Sequence, residues 1–179
     1  MIIRSIEKPI FKEKIRIRAY GDIRKNSTLF LEIKKKYKKV GYKRRSPLSL
    51  ENVRDLLVNK QIASNDIICD EILYVIKRYS AYPKALICCE RAAFSEPFDS
   101  SLRITIDSNI TGSYNTDDFF ESPSGVPLIE ENNYLLEIKT ESALPLWLTD
   151  IINRLNIFPV SFSKYGKLYI INKGNHIYV

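Results

Sequence analysis

Residues 14–20 read Lys14-Ile15-Arg16-Ile17-Arg18-Ala19-Tyr20, a strict alternation of long polar or cationic side chains with aliphatic ones. A period of two is the signature of a strand, because successive side chains leave opposite faces of the pleat. Lys14, Arg16, Arg18 and Tyr20 therefore share one face, and Ile15, Ile17 and Ala19 share the other. After a turn through Gly21-Asp22 to Asn26-Ser27 the pattern returns, with Glu32, Lys34 and Lys36 opposite Leu29, Leu31 and Ile33. A third strand is predicted from about Val40 to Arg45. The chain must therefore fold into a sheet whose polar face is almost wholly cationic.

Composition sharpens that constraint. The 179 residues carry 28 Lys+Arg against 21 Asp+Glu, a net charge of +7, with 45% apolar residues. Such a chain has enough apolar content for a core, which excludes disorder, and its length suits one domain over residues 1–179. Residues 1–60 hold 18 Lys/Arg and 6 Asp/Glu, a local +12, leaving 10 and 15 for the remainder, a local −5. Polyanions are the expected partners. No apolar run approaches the roughly 20 residues that span a bilayer, and the start lacks the features of a secretory signal, so the expectation is cytoplasmic. Cys69, Cys88 and Cys89 suit neither a disulfide framework nor a zinc site. With His176 as the one histidine, hydrolases built on a central histidine are disfavoured.

Further along, Ser49 can cap a helix to about Asn59, and Asn65 can cap another from Asp66 to about Tyr79. Strands are predicted for Ala85–Arg91, Leu102–Ser108 and Tyr134–Thr140. Residues 111–131 read as a long surface loop suited to a mobile lid. Pro145 opens a helix to about Asn156 whose stripe of Leu148, Ile151, Ile152 and Leu155 is expected to be buried. Short strands are expected at Pro159–Ser163 and Lys167–Ile171.

Solvated strand faces normally mix hydroxyls, amides and both charge signs. Here Arg16/Arg18, Lys34/Lys36, Arg91, Arg103 and Lys139 repeat one sign from strand to strand. If the sheet closed, these cations would converge and repel unless water and a polyanion lay between them. Glu32, Asp107 and Glu137 sit among them. Each can be a neutralising ion-pair partner, the simpler reading for Glu32. A carboxylate can also hold Mg2+ or Mn2+ against phosphate oxygens, and Glu137 is the first choice for that role. No glycine-rich phosphate loop is present, so side chains would grip the phosphates.

The segments Lys12-Glu13-Lys14-Ile15-Arg16-Ile17-Arg18-Ala19-Tyr20-Gly21, Phe30-Leu31-Glu32-Ile33-Lys34, Tyr42-Lys43-Arg44-Arg45, Cys89-Glu90-Arg91-Ala92-Ala93-Phe94, Leu102-Arg103-Ile104-Thr105-Ile106-Asp107, Leu136-Glu137-Ile138-Lys139 and Ser161-Phe162-Ser163-Lys164-Tyr165 carry a resemblance. In order, from about Lys8 to Gly166, they resemble the VTC-type polyphosphate polymerase domain, one of the triphosphate tunnel metalloenzymes (CYTH-like superfamily). The resemblance implies an α+β fold: an antiparallel β-barrel with a basic interior, the triphosphate tunnel, and helices packed outside. It implies Arg16, Arg18, Arg91 and Arg103 as the catalytic cations, with Lys34, Lys43, Ser163, Lys164 and Lys139 binding phosphate. Glu137 falls at the family's metal-binding glutamate, for Mn2+ or Mg2+. The reaction implied moves the γ-phosphate of ATP onto inorganic polyphosphate, in some settings beside a membrane partner protein.

This sequence departs from the pattern in two places. The family opens with a lysine-bearing strand, a helix and a second strand, which nothing before Met1-Ile2-Ile3 supplies, so the expected tunnel is short of its first staves. Cys89 also stands where an aromatic is common. The competing expectations are a tripolyphosphatase or nucleoside triphosphatase of the same fold, and a non-catalytic module for polyphosphate or inositol phosphates. Nucleic acid is not expected, because the cations alternate along strands instead of forming a helix or a stacking platform.

Overall fold

The computed structural model describes residues 10–23, 27–38, 40–95, 101–121 and 124–175. The expectations at Met1–Lys8, Asn26 and His176 lie outside the described residues. The chain is α+β and divides into two compact units, Met1–Lys84 and Ala85–Val179.

In the first unit β1 (Phe11–Arg18), β2 (Leu29–Tyr37) and β3 (Val40–Leu48) form an antiparallel sheet in that order. The alternation read from the sequence sorts as expected: Leu29, Leu31 and Ile33 are fully buried, while Lys34 and Lys36 are exposed. Behind the apolar face lie α1 (Leu50–Asn59) and α2 (Ile67–Tyr79), which contribute Val53, Leu56, Cys69, Ile72 and Val75 to the buried apolar set. Ser49 caps α1 by accepting from the Asn52 amide at 3.2 Å. Asp66, rather than Asn65, caps α2: its extended backbone lets its carboxylate accept from the Ile68 amide at 2.9 Å. A polar clamp ties α2 to the sheet, since Glu71 takes Lys35 of β2 at 2.6 Å and Arg44 of β3 at 3.0 Å.

In the second unit β4 (Leu86–Ser95), β5 (Arg103–Ser113) and β6 (Val126–Pro127) form an antiparallel sheet, with β7 (Leu135–Lys139) also paired to β5. The β4–β5 register slips between Cys88 and Glu90, where β5 carries an extra residue and Asn109 adopts φ +48°. Such a bulge shifts the pleat by one. Without it Asp107 and Gly112 would leave opposite faces; with it the Arg91/Asp107 pair and the Ile87/Gly112 pair share one. That face is therefore polar at one end and apolar at the other, where Ile110, Leu128 and Leu168 form a buried cluster. Gly112 gives this packing room: a Cβ there would sit 3.1 Å from Ile87 and 3.2 Å from Leu128, so those side chains would have to give by a few tenths of an ångström.

The described strands pair into two antiparallel sheets, and no closed barrel is found among the described residues. Several other expectations are corrected. Residues 111–131 are not one long loop: β5 runs to Ser113, Asp117–Phe120 form a 3-10 turn, β6 pairs back on β5, and Leu128 enters the core. Burying Leu128 beside Ile110 anchors the end of this segment. Helix α3 (Leu146–Arg154) forms after Pro145, yet only Leu148 of its stripe is buried; Ile151 is 38% and Leu155 64% exposed. Periodicity places residues on a stripe but does not supply a cover for it. The final strands are also absent: Lys164–Asn175 is a helix, α4, and Pro159–Ser163 has no regular structure. Ser163 decides this locally by capping, accepting from the Gly166 amide at 3.2 Å, and Leu168 and Ile171, three apart, meet the apolar cluster from one helix face.

Candidate functional site

On the first sheet the cross-strand register fixes which cations are neighbours. Lys12 faces Lys36; Lys14 faces Lys34, which faces Lys43; Arg16 faces Glu32, which faces Arg45; Arg18 faces Phe30. Lys43 and Arg45 join this face, and Arg44 turns to Glu71 behind it.

Glu32 is the buried centre, its side chain 3% exposed. Lys43 donates to one oxygen at 2.7 Å, while Arg16 donates to the other through Nε at 2.9 Å and also through Nη2. Burial by itself would raise the Glu32 carboxyl, but the hydrogen bonds from Lys43 and Arg16 outweigh it and hold the group below the ordinary carboxylate range. The neutralising reading of Glu32 is the one the geometry bears out. Arg18 is held by the Tyr20 hydroxyl at 2.9 Å and lies over that ring. Lys34 has no ion-pair partner among the described residues.

The second sheet repeats the plan around Asp107, whose side chain is 2% exposed. Arg91 grips it through two parallel hydrogen bonds of 2.5 and 2.7 Å, and Lys164, reaching in from the first turn of α4, donates to Oδ2. Burial works against the charge, yet the bonds from Arg91 and Lys164 hold Asp107 below the usual range, and the Asp107 hydrogen bond raises Arg91. Lys164 and Leu168 are four apart on α4, so one helical face serves both the polar and the apolar end of the sheet. Lys164 also lies 3.6 Å from Cys89 Sγ.

Next to this group Arg103 faces Lys139 and Thr105 faces Glu137 across β5 and β7. Arg103 is exposed and without an ion-pair partner among the described residues. Ser163 spends an acceptor on the helix cap and keeps its hydroxyl proton to donate elsewhere. Thus Arg91, Arg103, Glu137, Lys139 and Lys164 share one sheet face, and Arg16, Arg18, Lys34 and Lys43 share one face of the other sheet.

Among the described residues no group of three or more His, Cys, Asp or Glu side chains could hold a metal. Mg2+ and Mn2+ do not require one when phosphates and water complete the shell. Glu137 is 47% exposed, restrained only by Lys139 at 3.1 Å, and its cross-strand neighbour Thr105 has a buried Oγ1 without a hydrogen-bond partner. One accessible carboxylate beside a spare hydroxyl fits such an ion. The sequence reading places Lys14 and Lys36 on cationic faces and Asp107 among the cations, but misses the partners that converge on Asp107, the orphan hydroxyl of Thr105 and the place of Arg45 on the first face. For Lys14 and Lys36 the signal is the period of two.

Among the described residues no helix is long and apolar enough to cross a membrane. No curated protein matches the chain. The VTC domain family model matches residues 1–170 of the 179. This chain belongs to the VTC domain family, which points to a polyphosphate-related function.

Proposed function

We propose that this protein is a metal-dependent phosphotransferase that moves the γ-phosphate of ATP onto the end of an inorganic polyphosphate chain. The observation that carries the reading is the plan used twice: a buried carboxylate fixes two cations on a sheet face where other cations remain unpaired. Fixed guanidinium and ammonium groups suit phosphate oxygens, and phosphoryl transfer asks mainly for positioning and charge stabilisation.

In the step itself a terminal oxygen of the chain attacks Pγ, the bond from Pγ to the bridging oxygen of ADP breaks, and ADP leaves with that electron pair. The attacking oxygen is already anionic, so no general base is needed. Within the first unit Glu32 pre-orients Arg16, and within the second Asp107 pre-orients Arg91, so each sheet face by itself offers phosphate oxygens donors in fixed directions. Arg103, free of a competing carboxylate, meets charge on the transferred group. Glu137 would hold Mn2+ or Mg2+, which supplies charge neutralisation on phosphate oxygens when bound.

Purified protein incubated with ATP and Mn2+ should yield chains that ladder on a gel. Release of orthophosphate without chain growth would assign the protein to the triphosphatase alternative. Binding of polyphosphate with no turnover would leave the non-catalytic module.

A further inference from the structure

The cationic face of the first sheet is not uniform. Its four rows, from one end, are Lys12 and Lys36; Lys14, Lys34 and Lys43; Arg16, Glu32 and Arg45; Arg18 and Phe30. Rows lie about 7 Å apart and strands about 4.8 Å apart, so the face is roughly 20 Å long. Its first two rows hold only lysines and no carboxylate. Its last two hold only arginines as cations, with Glu32, and with Arg45 over the Phe30 ring at 4.9 Å.

Like charges directly opposite on a sheet destabilise it. Lys14, Lys34 and Lys36 nevertheless have no ion-pair partner among the described residues. Burial, then the proximity of Lys12, Lys34 and Arg16, pulls the Lys14 ammonium below its ordinary value. A fold that keeps such a row tolerates a standing repulsion that an anion would relieve.

The chemistry of the two ends also differs. Guanidinium forks impose direction on a phosphate; ammonium groups on four-carbon stems act as compact charges that accept many orientations. The arginine end suits a phosphate held in one pose. The lysine end suits a repeating anion that must shift by one unit per turnover. Three phosphorus atoms joined through two oxygens cannot reach along all four rows.

Resting on the polymer reading above, we infer that Lys14, Lys34 and Lys36 form a chain-holding subsite that binds a linear polyphosphate segment beyond the phosphates gripped at the arginine end.

The test compares the affinity of the full chain for tripolyphosphate and for a long linear polyphosphate of defined length, at fixed ionic strength with EDTA present. Lys14→Gln/Lys36→Gln should weaken long-chain binding about tenfold, or about 1.4 kcal/mol, and tripolyphosphate binding by no more than about twofold, with an undiminished melting temperature. Lys60→Gln/Lys77→Gln removes equal charge elsewhere on the unit and should leave the preference intact. Equal losses for both ligands, an equal effect of the control pair, or displacement of the long chain by single-stranded RNA of matched charge would each overturn the inference. Because no ATP is used, absent polymer synthesis with intact lysine-dependent chain preference refutes the polymerase alone. Synthesis with no such dependence refutes the lysine subsite alone.

Discussion

Asp107 is the most consequential single residue of the second unit, because two cations converge on a carboxylate removed from water. Taking one member from a buried ion pair leaves its partners uncompensated, which typically costs 3–5 kcal/mol when all are buried. Arg91 is 29% and Lys164 21% exposed, so the lower end applies. Asp107→Asn should lower unfolding free energy by about 3 kcal/mol, read from urea denaturation, and a change near zero would deny it an organising role. Arg103 is the contrast. With no ion pair to lose, Arg103→Gln should leave the urea midpoint nearly unchanged while slowing polymer formation by about tenfold to a hundredfold, the worth of one or two charge-assisted hydrogen bonds. Parallel loss of stability and rate in that variant would argue against a direct phosphate contact.

At the level of elements, the bulge in β5 and the cap on α4 decide where the site residues point. Asn109 sits at φ +48°, where a β-branched side chain is costly and glycine is not. Asn109→Val should destabilise by about 1–2 kcal/mol and Asn109→Gly by far less, measured by thermal unfolding of the two side by side. Ser163→Ala removes the cap of α4 and should cost about 1 kcal/mol, with weaker phosphate binding because Lys164 stands in the frayed turn. These elements also mark where the sequence stops being readable. The strands of the first unit were legible because each has one apolar and one cationic face. Asp107 was visible as a carboxylate among cations, but its partners were not, since Lys164 comes from 57 positions away in a segment that reads as strand to propensity and as helix to its cap. The bulge left no pattern beyond an Asn, and the register slip it causes is what puts Arg91 and Ile87 to different uses on one face. The exposed stripe of α3 failed for a separate reason: amphipathicity records a preference for cover, and cover is a tertiary fact.

For the molecule as a whole, the charge excess coincides with the division into units: residues 1–84 hold 21 Lys/Arg and 9 Asp/Glu, and residues 85–179 hold 7 and 12. Long-range attraction of a polyanion therefore belongs to the first unit, and its on-rate should fall steeply with salt. Stability has its own dependence on pH. Glu71, through its hydrogen bond to Lys35, and Glu32 and Asp107, where cationic partners outweigh burial, are all held below their unfolded values. Carboxylates depressed in this way contribute fully above the unfolded values, about 4, and lose that contribution as pH falls through the folded ones. Urea midpoints should be level from neutrality to about pH 5 and then decline; a decline that begins on the alkaline side would contradict the ion-pair assignments. Glu32 and Asp107 also bring a selectivity by valence. Each is a tethered competitor, present at high effective concentration for the very cations a ligand must engage. A free monoanion such as chloride or acetate offers no more charge than the carboxylate it would have to displace, and arrives without a tether. A chain of phosphates offers many charges on one backbone, so simple salts should leave these ion pairs closed while a multivalent anion should compete for their cations.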